Sequence, residues 1–170
     1  MSNVLIIESS ARQQDSISRQ LTQQFISQWQ VAHPADHITV RDVDRSTRFL
    51  LAALPDWRVR GEGRMDWFGK PITWRHVGGD GFYVALQGGG EGEVTDWKSH
   101  RLGPKHVGLV VPSVDAVVAR LAAAGYPLDH WGGQTASRRS VYVVDPDSVQ
   151  FEFVEYLSED VALRNAYEAA

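Results

Sequence analysis

His106 and Glu152 are the residues of this chain best placed to do chemistry. Each stands in an alternating strand pattern, on the face opposite the apolar side chains. In Lys105–Val111, Val107, Leu109 and Val111 alternate with His106, Gly108 and Val110; in Gln150–Val154, Phe151 and Phe153 alternate with Gln150, Glu152 and Val154. Period-two alternation gives a strand one apolar face and one face free for other work. An imidazole and a carboxylate on such free faces can share a divalent metal, pair with each other, or move a proton through the carboxylate.

The segments around them read as one unit. Ser113 caps a helix over Ser113–Ala124 whose Val114, Val117, Val118 and Leu121 form one apolar stripe, and Gly125 ends it. SRRSVYVV and the Gln150–Val154 segment follow as further strands. Lys105–Glu155 is therefore strand, helix, strand, strand, strand, with the helix covering one face and leaving His106 and Glu152 on the other.

This stretch resembles one βαβββ module of the vicinal-oxygen-chelate superfamily, which includes glyoxalase I, bleomycin and fosfomycin resistance proteins and extradiol dioxygenases. The His106 strand, the helix VDAVVARLAAAGY and the ending DPDSVQFEFVEYLS carry the resemblance, the last being similar to the superfamily's DPDG-x-x-x-E-[FL]. The resemblance implies that His106 and Glu152 are metal ligands. Ser148 stands where that ending has Gly, at a turn position suited to positive φ, and is expected to carry backbone strain.

A superfamily member needs a second module, and the middle of the chain supplies its outline. DVDRSTRF resembles the superfamily's D-[LV]-x-R-S-x-x-F and opens a helix with Phe49, Leu50 and Leu54 apolar. DWRVRGEG is a candidate strand, RMDWFGK an insertion-like loop, and KPITWRHVGGDGFYVALQ a hairpin turning at Gly78–Gly81. Counting by register from these phrases, the first module's two ligand positions fall on Ala35 and Ala85, which cannot ligate. His37 and Gln87 each lie two residues away on the same face, so the resemblance leaves a shifted site of His37, Gln87, His106 and Glu152. Its mixed nitrogen and oxygen donors suit Mn²⁺, Fe²⁺, Ni²⁺ or Zn²⁺. Tyr83 and Tyr142 fall on the ligand face and, with Trp131, are candidates to line a substrate pocket; simple packing suits the tyrosines equally, and Trp131 suits a loop anchor. Arg138 and Arg139, at a strand entry, suit either an anionic substrate or solvent.

The first forty residues have a different character. Val4–Ile7 is a buried-type strand; Ile17, Leu21, Phe25 and Trp29 recur along a helix that Pro34 stops; Ile38 and Val40 alternate in a further strand. Such a βαβ unit has parallel strands. VLIIESS, DSISRQLTQQFISQW and HPADHITVRD resemble the start of FMN-dependent NADH-azoreductases, a flavodoxin-like family, and the resemblance places Ser9, Ser16, Ile17 and Ser18 at a flavin phosphate. No later stretch matches the loops that hold the flavin ring, so these serines are read as helix caps and FMN is not expected. The change of resemblance points to a fusion or chimera joined near Ile38–Asp44.

Composition narrows the field. At 170 residues, 43% hydrophobic and 22% charged, the chain has the make-up of a globular domain. A net charge of −4 gives no reason to expect nucleic acid, and the absence of cysteine excludes disulfides, thiolate catalysis and Cys-ligated metals. No apolar run approaches the length of a membrane span and no secretion signal is read, so a cytoplasmic protein without membrane partners is expected. No nucleophile elbow, phosphate loop or dinucleotide fingerprint occurs.

The fold expected is α+β: two βαβββ modules forming a cupped mixed sheet, glyoxalase-like, with an extra N-terminal strand and helix. The divisions are 1–35 for the extension, 36–90 for the first module, 91–104 for a linker, 105–157 for the second module and 158–170 for a C-terminal helix capped by Ser158 with Val161 and Leu163 packed inward. The function expected is a metal-dependent lyase, isomerase or dioxygenase acting on a small molecule with neighbouring oxygens, with Glu152 as ligand or base. The alternatives are a metal-free drug-binding cup and a recombined chain without evolved activity. A homodimer is expected by analogy with the superfamily.

Overall fold

The computed structural model describes residues 3–7, 24, 28, 31, 37–41, 43–89, 96–100 and 102–166. The chain divides into two compact units: Met1–Arg45 with Val59–Glu93, and Ser46–Arg58 with Val94–Ala170.

In the first unit, β1 (Asn3–Ile7) pairs in parallel with β2 (His37–Arg41), Asn3 opposite His37 and Ile7 opposite Arg41, as the βαβ reading requires. Between them Gln24, Gln28 and Val31 are helical and exposed, positions that lie off the expected apolar stripe. Ser9, Ser16, Ile17 and Ser18 lie outside the described residues. β3 (Arg58–Trp67), β4 (Lys70–Gly78) and β5 (Tyr83–Gln87) form a separate three-stranded sheet in that order. Among the described residues, the first module's opening strand thus sits beside the added N-terminal strand and not beside β5.

The insertion-like loop expected over RMDWFGK is instead the tip of a hairpin. β3 runs on to Trp67, and Phe68 (φ 50) and Gly69 (φ 84) make a two-residue turn. Both residues of such a turn sit in the left-handed region, which Gly tolerates and Phe advertises poorly. The Asp66 Oδ1 accepts from the Gly69 N–H at 2.9 Å.

Helix α1 (Val43–Ala53) begins in the first unit and ends in the second. At its start, Asp44 and Glu62 share Arg75, at 2.5 and 2.6 Å. Its later residues Phe49, Leu50 and Ala53 are fully buried.

The second unit contains the complete module: β6 (Val107–Val110), α2 (Val114–Ala123), β7 (His130–Trp131), β8 (Arg138–Val144) and β9 (Gln150–Tyr156), in sheet order β6-β9-β8-β7. β6 runs parallel to β9, and the other neighbours are antiparallel. The Ser113 hydroxyl accepts from the Ala116 N–H, capping α2 as its sequence indicates. At the other end Gly125 (φ 83) takes the left-handed position, with Tyr126 N–H donating to Leu121 O and Gly125 N–H to Ala122 O. These are the two bonds of a Schellman ending. Val114, Val117 and Leu121 of α2 are buried, as are Val141, Val143, Phe151 and Phe153 of the sheet. One face is thereby closed by apolar contact and the other left open.

The end of the chain differs from its reading. α3 is the short Val161–Arg164, capped by Asp160, whose carboxylate accepts from Ala162 N–H at 2.8 Å. Val161 and Leu163 are 64% and 51% exposed, so this turn does not pack them inward. Ser158 instead accepts from Asp160 N–H. Among the described residues, no helix is long and apolar enough to cross a membrane.

Candidate functional site

The open face of the second unit gathers His106, Glu152 and Tyr142. Strand register explains why. Glu152 lies opposite Gly108 on β6 and opposite Tyr142 on β8, and opposed residues share a face. His106 is two residues before Gly108 and projects to the same side. The Glu152 carboxylate lies over Gly108, its Oε2 3.8 Å from where a Cβ would stand, an ordinary van der Waals contact. The His106 Nε2 reaches Glu152 Oε2 at 3.2 Å, and the two rings of His106 and Tyr142 meet edge to face at 5.5 Å.

Burial pushes the Tyr142 hydroxyl up to about 12, helped by its hydrogen bond to the Glu152 carboxylate and the negative charge there. Tyr142 is therefore a hydrogen-bond donor at neutral pH. Because its pKa is raised in the folded state, the stability it contributes is whole below its ordinary value near 10 and is lost as pH rises towards about 12. Ultraviolet difference titration of the wild type against Tyr142→Phe is expected to show one tyrosine ionising late, and Glu152→Gln should bring that titration to lower pH. A Tyr142 that ionises with the ordinary tyrosines would contradict the arrangement.

His130, not singled out in the sequence, joins this cluster. It lies opposite Tyr142 in the β7–β8 register and stacks on it at 4.5 Å with 9° between planes. Trp97 stacks on His130 in turn at 5.5 Å, and Asp129 holds the His130 Nδ1 at 2.7 Å. The result is a run of rings from Trp97 through His130 and Tyr142 to His106. Alternation in a two-residue strand is too short to read, which hides His130; Trp97 lies in the stretch read as a linker.

Trp131 is placed differently. It lies opposite Val141, on the sheet face away from Tyr142, with the Arg139 guanidinium 5.5 Å from its ring. Arg139 pairs with both Asp115 carboxylate oxygens at 2.9 and 3.0 Å, which commits it to α2. Tyr83 belongs to the first unit, where it stacks on His76 at 4.2 Å beneath the Arg60 guanidinium. Gln87 lies opposite Trp74 on the exposed strand β5. His37 lies on β2 opposite Asn3; its side chain is outside the described residues.

Two donors, His106 and Glu152, converge. A catalytic zinc centre takes three protein ligands. Among the described residues, no group of three or more His, Cys, Asp or Glu side chains comes together. The residues shown do not by themselves fit a metal. They do make a carboxylate bordered by aromatic rings, an arrangement that attracts organic cations.

Two sets of relatives bear on this chain. A flavodoxin-like fold family model matches residues 2–62. An FMN-dependent NADH:quinone oxidoreductase of Pseudomonas fluorescens is 62% identical over 68 residues, covering 39% of this chain and 34% of that protein. One from Pseudomonas putida is 81% identical over 43 residues, 25% of this chain and 22% of that protein. The chain thus spans about a third or less of the curated relatives it matches. The structures it resembles are of another kind. A glyoxylase/bleomycin resistance protein/dioxygenase domain from Frankia has TM-score 0.55 and 26% identity, over 69% of this chain and 91% of that one. A glyoxalase family protein from Bacillus cereus has TM-score 0.56 and 13% identity, over 93% and 94% of the two chains. A fosfomycin resistance protein from Listeria monocytogenes, complexed with Mn(II) and a dihydroxypropylphosphonic acid, has TM-score 0.53 and 18% identity, over 74% and 90%. The chain therefore has a glyoxalase-like α+β fold and begins with a segment similar to flavin-dependent quinone oxidoreductases, a pattern consistent with a fusion of two unlike pieces.

Proposed function

We propose that this chain is a small-molecule-binding protein of the glyoxalase/bleomycin-resistance type, whose second unit takes an aromatic cation on its open face. The observation that carries the reading is the Glu152 carboxylate set beside the Tyr142 ring, with His130 stacked behind that ring at 4.5 Å. A flat cation gains ring contact and a partly desolvated opposite charge at one place. Homodimer formation is part of the proposal, by analogy with the fold. The flavin chemistry of the N-terminal relatives does not extend to this reading, since the chain covers 34% of one of them and 22% of another.

The second reading is a metal-dependent lyase, isomerase or dioxygenase, favoured by the 3.2 Å convergence of His106 on Glu152. It needs further donors beyond these two, and the Mn(II) complex of the fosfomycin resistance protein lends it analogy.

One set of measurements separates the two. N-methylquinolinium is expected to raise the melting temperature, and Glu152→Gln to weaken its binding about tenfold, the worth of one hydrogen-bonded or paired charge. Mn²⁺, Ni²⁺, Zn²⁺ and a chelator are expected to leave the melting temperature unchanged, and elemental analysis of untagged protein to find metal well below stoichiometric. Near-stoichiometric metal, lost in His106→Ala or Glu152→Ala, would overturn the binding reading in favour of the metal enzyme.

A further inference from the structure

A cavity of about 340 Å³ lies in the second unit at the start of β9, bounded in part by Trp97, Leu102, Pro104, Val107 and Gln150. Its volume falls in the range of small-ligand sites. Gln150 is the first residue of β9 and is 2% exposed. Its Nε2 donates to Asp129 Oδ2 at 3.4 Å, longer than the ordinary N–H···O bond. A carboxylate can only accept, so Asp129 sets which way the amide points, with the nitrogen towards it and the oxygen away. Among the described residues, no donor reaches Gln150 Oε1. That oxygen is not sealed in by protein atoms either; it opens on the cavity. An amide oxygen left over on a buried residue costs free energy unless something brings it a donor.

The apolar part of the wall is held in place. Trp97 stacks on His130 at 5.5 Å, Asp129 Oδ2 holds His130 Nδ1 at 2.7 Å, and the same carboxylate oxygen orients Gln150. The flat ring and the amide are therefore tied through one residue, so a ligand meets both without ordering them first. Leu102, Pro104 and Val107 add aliphatic surface. Lys105 borders the cavity too; its ammonium donates to the Ser99 backbone oxygen at 2.6 Å, and an uncharged ligand makes no call on it. A flat ring, aliphatic surface and one unused acceptor describe a ligand that is planar, uncharged and equipped with a donor at its edge.

We propose that this cavity binds a small neutral aromatic molecule carrying an N–H or O–H, its ring against Trp97 and Val107 and its donor on Gln150 Oε1. Among the described residues, the wall includes neither Glu152 nor Tyr142, so the site is separate from the open face that takes a cation.

The test is calorimetric titration of the full chain with indole and with benzofuran, which has the same bicyclic shape with an oxygen in place of the N–H. Indole is expected to bind at one site and benzofuran about tenfold more weakly, since benzofuran brings no donor and leaves the Gln150 oxygen unpaired. Gln150→Met, which keeps the length of the side chain without its amide, should weaken indole to the level of benzofuran and leave benzofuran unchanged. Trp97→Ala should weaken both by a similar factor. If Gln150→Met melts below the wild type, the comparison of the two ligands on the wild type decides. Equal binding of indole and benzofuran, no saturable binding of indole, or indole binding indifferent to Gln150→Met in a folded variant would each overturn the proposal. Cation binding on the open face is read from Glu152 with N-methylquinolinium, so failure of one site is told apart from failure of the other.

Discussion

Phe49→Ala is expected to cost about 3–5 kcal/mol, the range for deleting a fully buried aromatic ring. Phe49 is fully buried, with Tyr126 and Phe151 at 5.3 Å and Phe153 at 6.4 Å between ring centroids. It is the point where α1 meets the end of α2 and the apolar face of β9. Removing it empties the space behind Phe151 and Phe153, the residues that alternate with Glu152. The loss is to be read as a lower urea midpoint at unchanged slope. It should be accompanied by weaker binding of N-methylquinolinium, because β9 is what aims the carboxylate. A loss below about 1 kcal/mol would show that the site had collapsed around the cavity or that the rings do not pack as described.

The second large effect is expected at the turn between β8 and β9. Asp145 is 5% exposed and does three things: Oδ1 accepts from the Asp147 and Val149 N–H groups, both at 2.9 Å, and Oδ2 accepts from the Ser46 hydroxyl at 2.6 Å. Asp147 Oδ2 also accepts from Ser46, at 3.0 Å. Asp145→Ala leaves the two N–H groups without their acceptor and removes the shorter of the two bonds from Ser46 that tie α1 to the turn. A hydrogen bond to a charged group is worth about 1.5–3 kcal/mol, and with partial compensation by water a loss of about 3 kcal/mol is expected in equilibrium unfolding. Asp145→Asn, which keeps an acceptor for the two N–H groups, should lose much less. In the same turn Ser148 has φ 68, the left-handed conformation foreseen from its replacement of glycine. Strain of about 1–2 kcal/mol, less the entropy that glycine loses on folding, makes Ser148→Gly stabilising by up to about 1 kcal/mol. If Ser148→Gly proves destabilising while Asp145→Ala is harmless, the turn is not built this way.

Local periodicity was enough to find the second module. Alternation in Lys105–Val111 and Gln150–Val154, the capped stripe of Ser113–Ala124 and its glycine stop all belong to residues within one turn or one strand of each other. The facing of His106 and Glu152 was legible for the same reason, since two outward positions on neighbouring strands of one sheet must share a side. The parallel pair β1–β2 followed from the strand–helix–strand order, and the strain at Ser148 from a turn that wants glycine.

Other features depended on partners far along the chain. The Ser46 hydroxyl finds Asp145 across 99 positions, and no pattern around either residue announces it. His130 joins Tyr142 and Trp131 turns away because β7 is two residues long and its register is set by β8, not by its own alternation. The hairpin at Phe68–Gly69 was concealed by a phenylalanine in a conformation that it seldom adopts. A strand's outward face is written in its own residues, but which strand lies beside it is decided only when backbone hydrogen bonds and buried area are satisfied together in the folded chain.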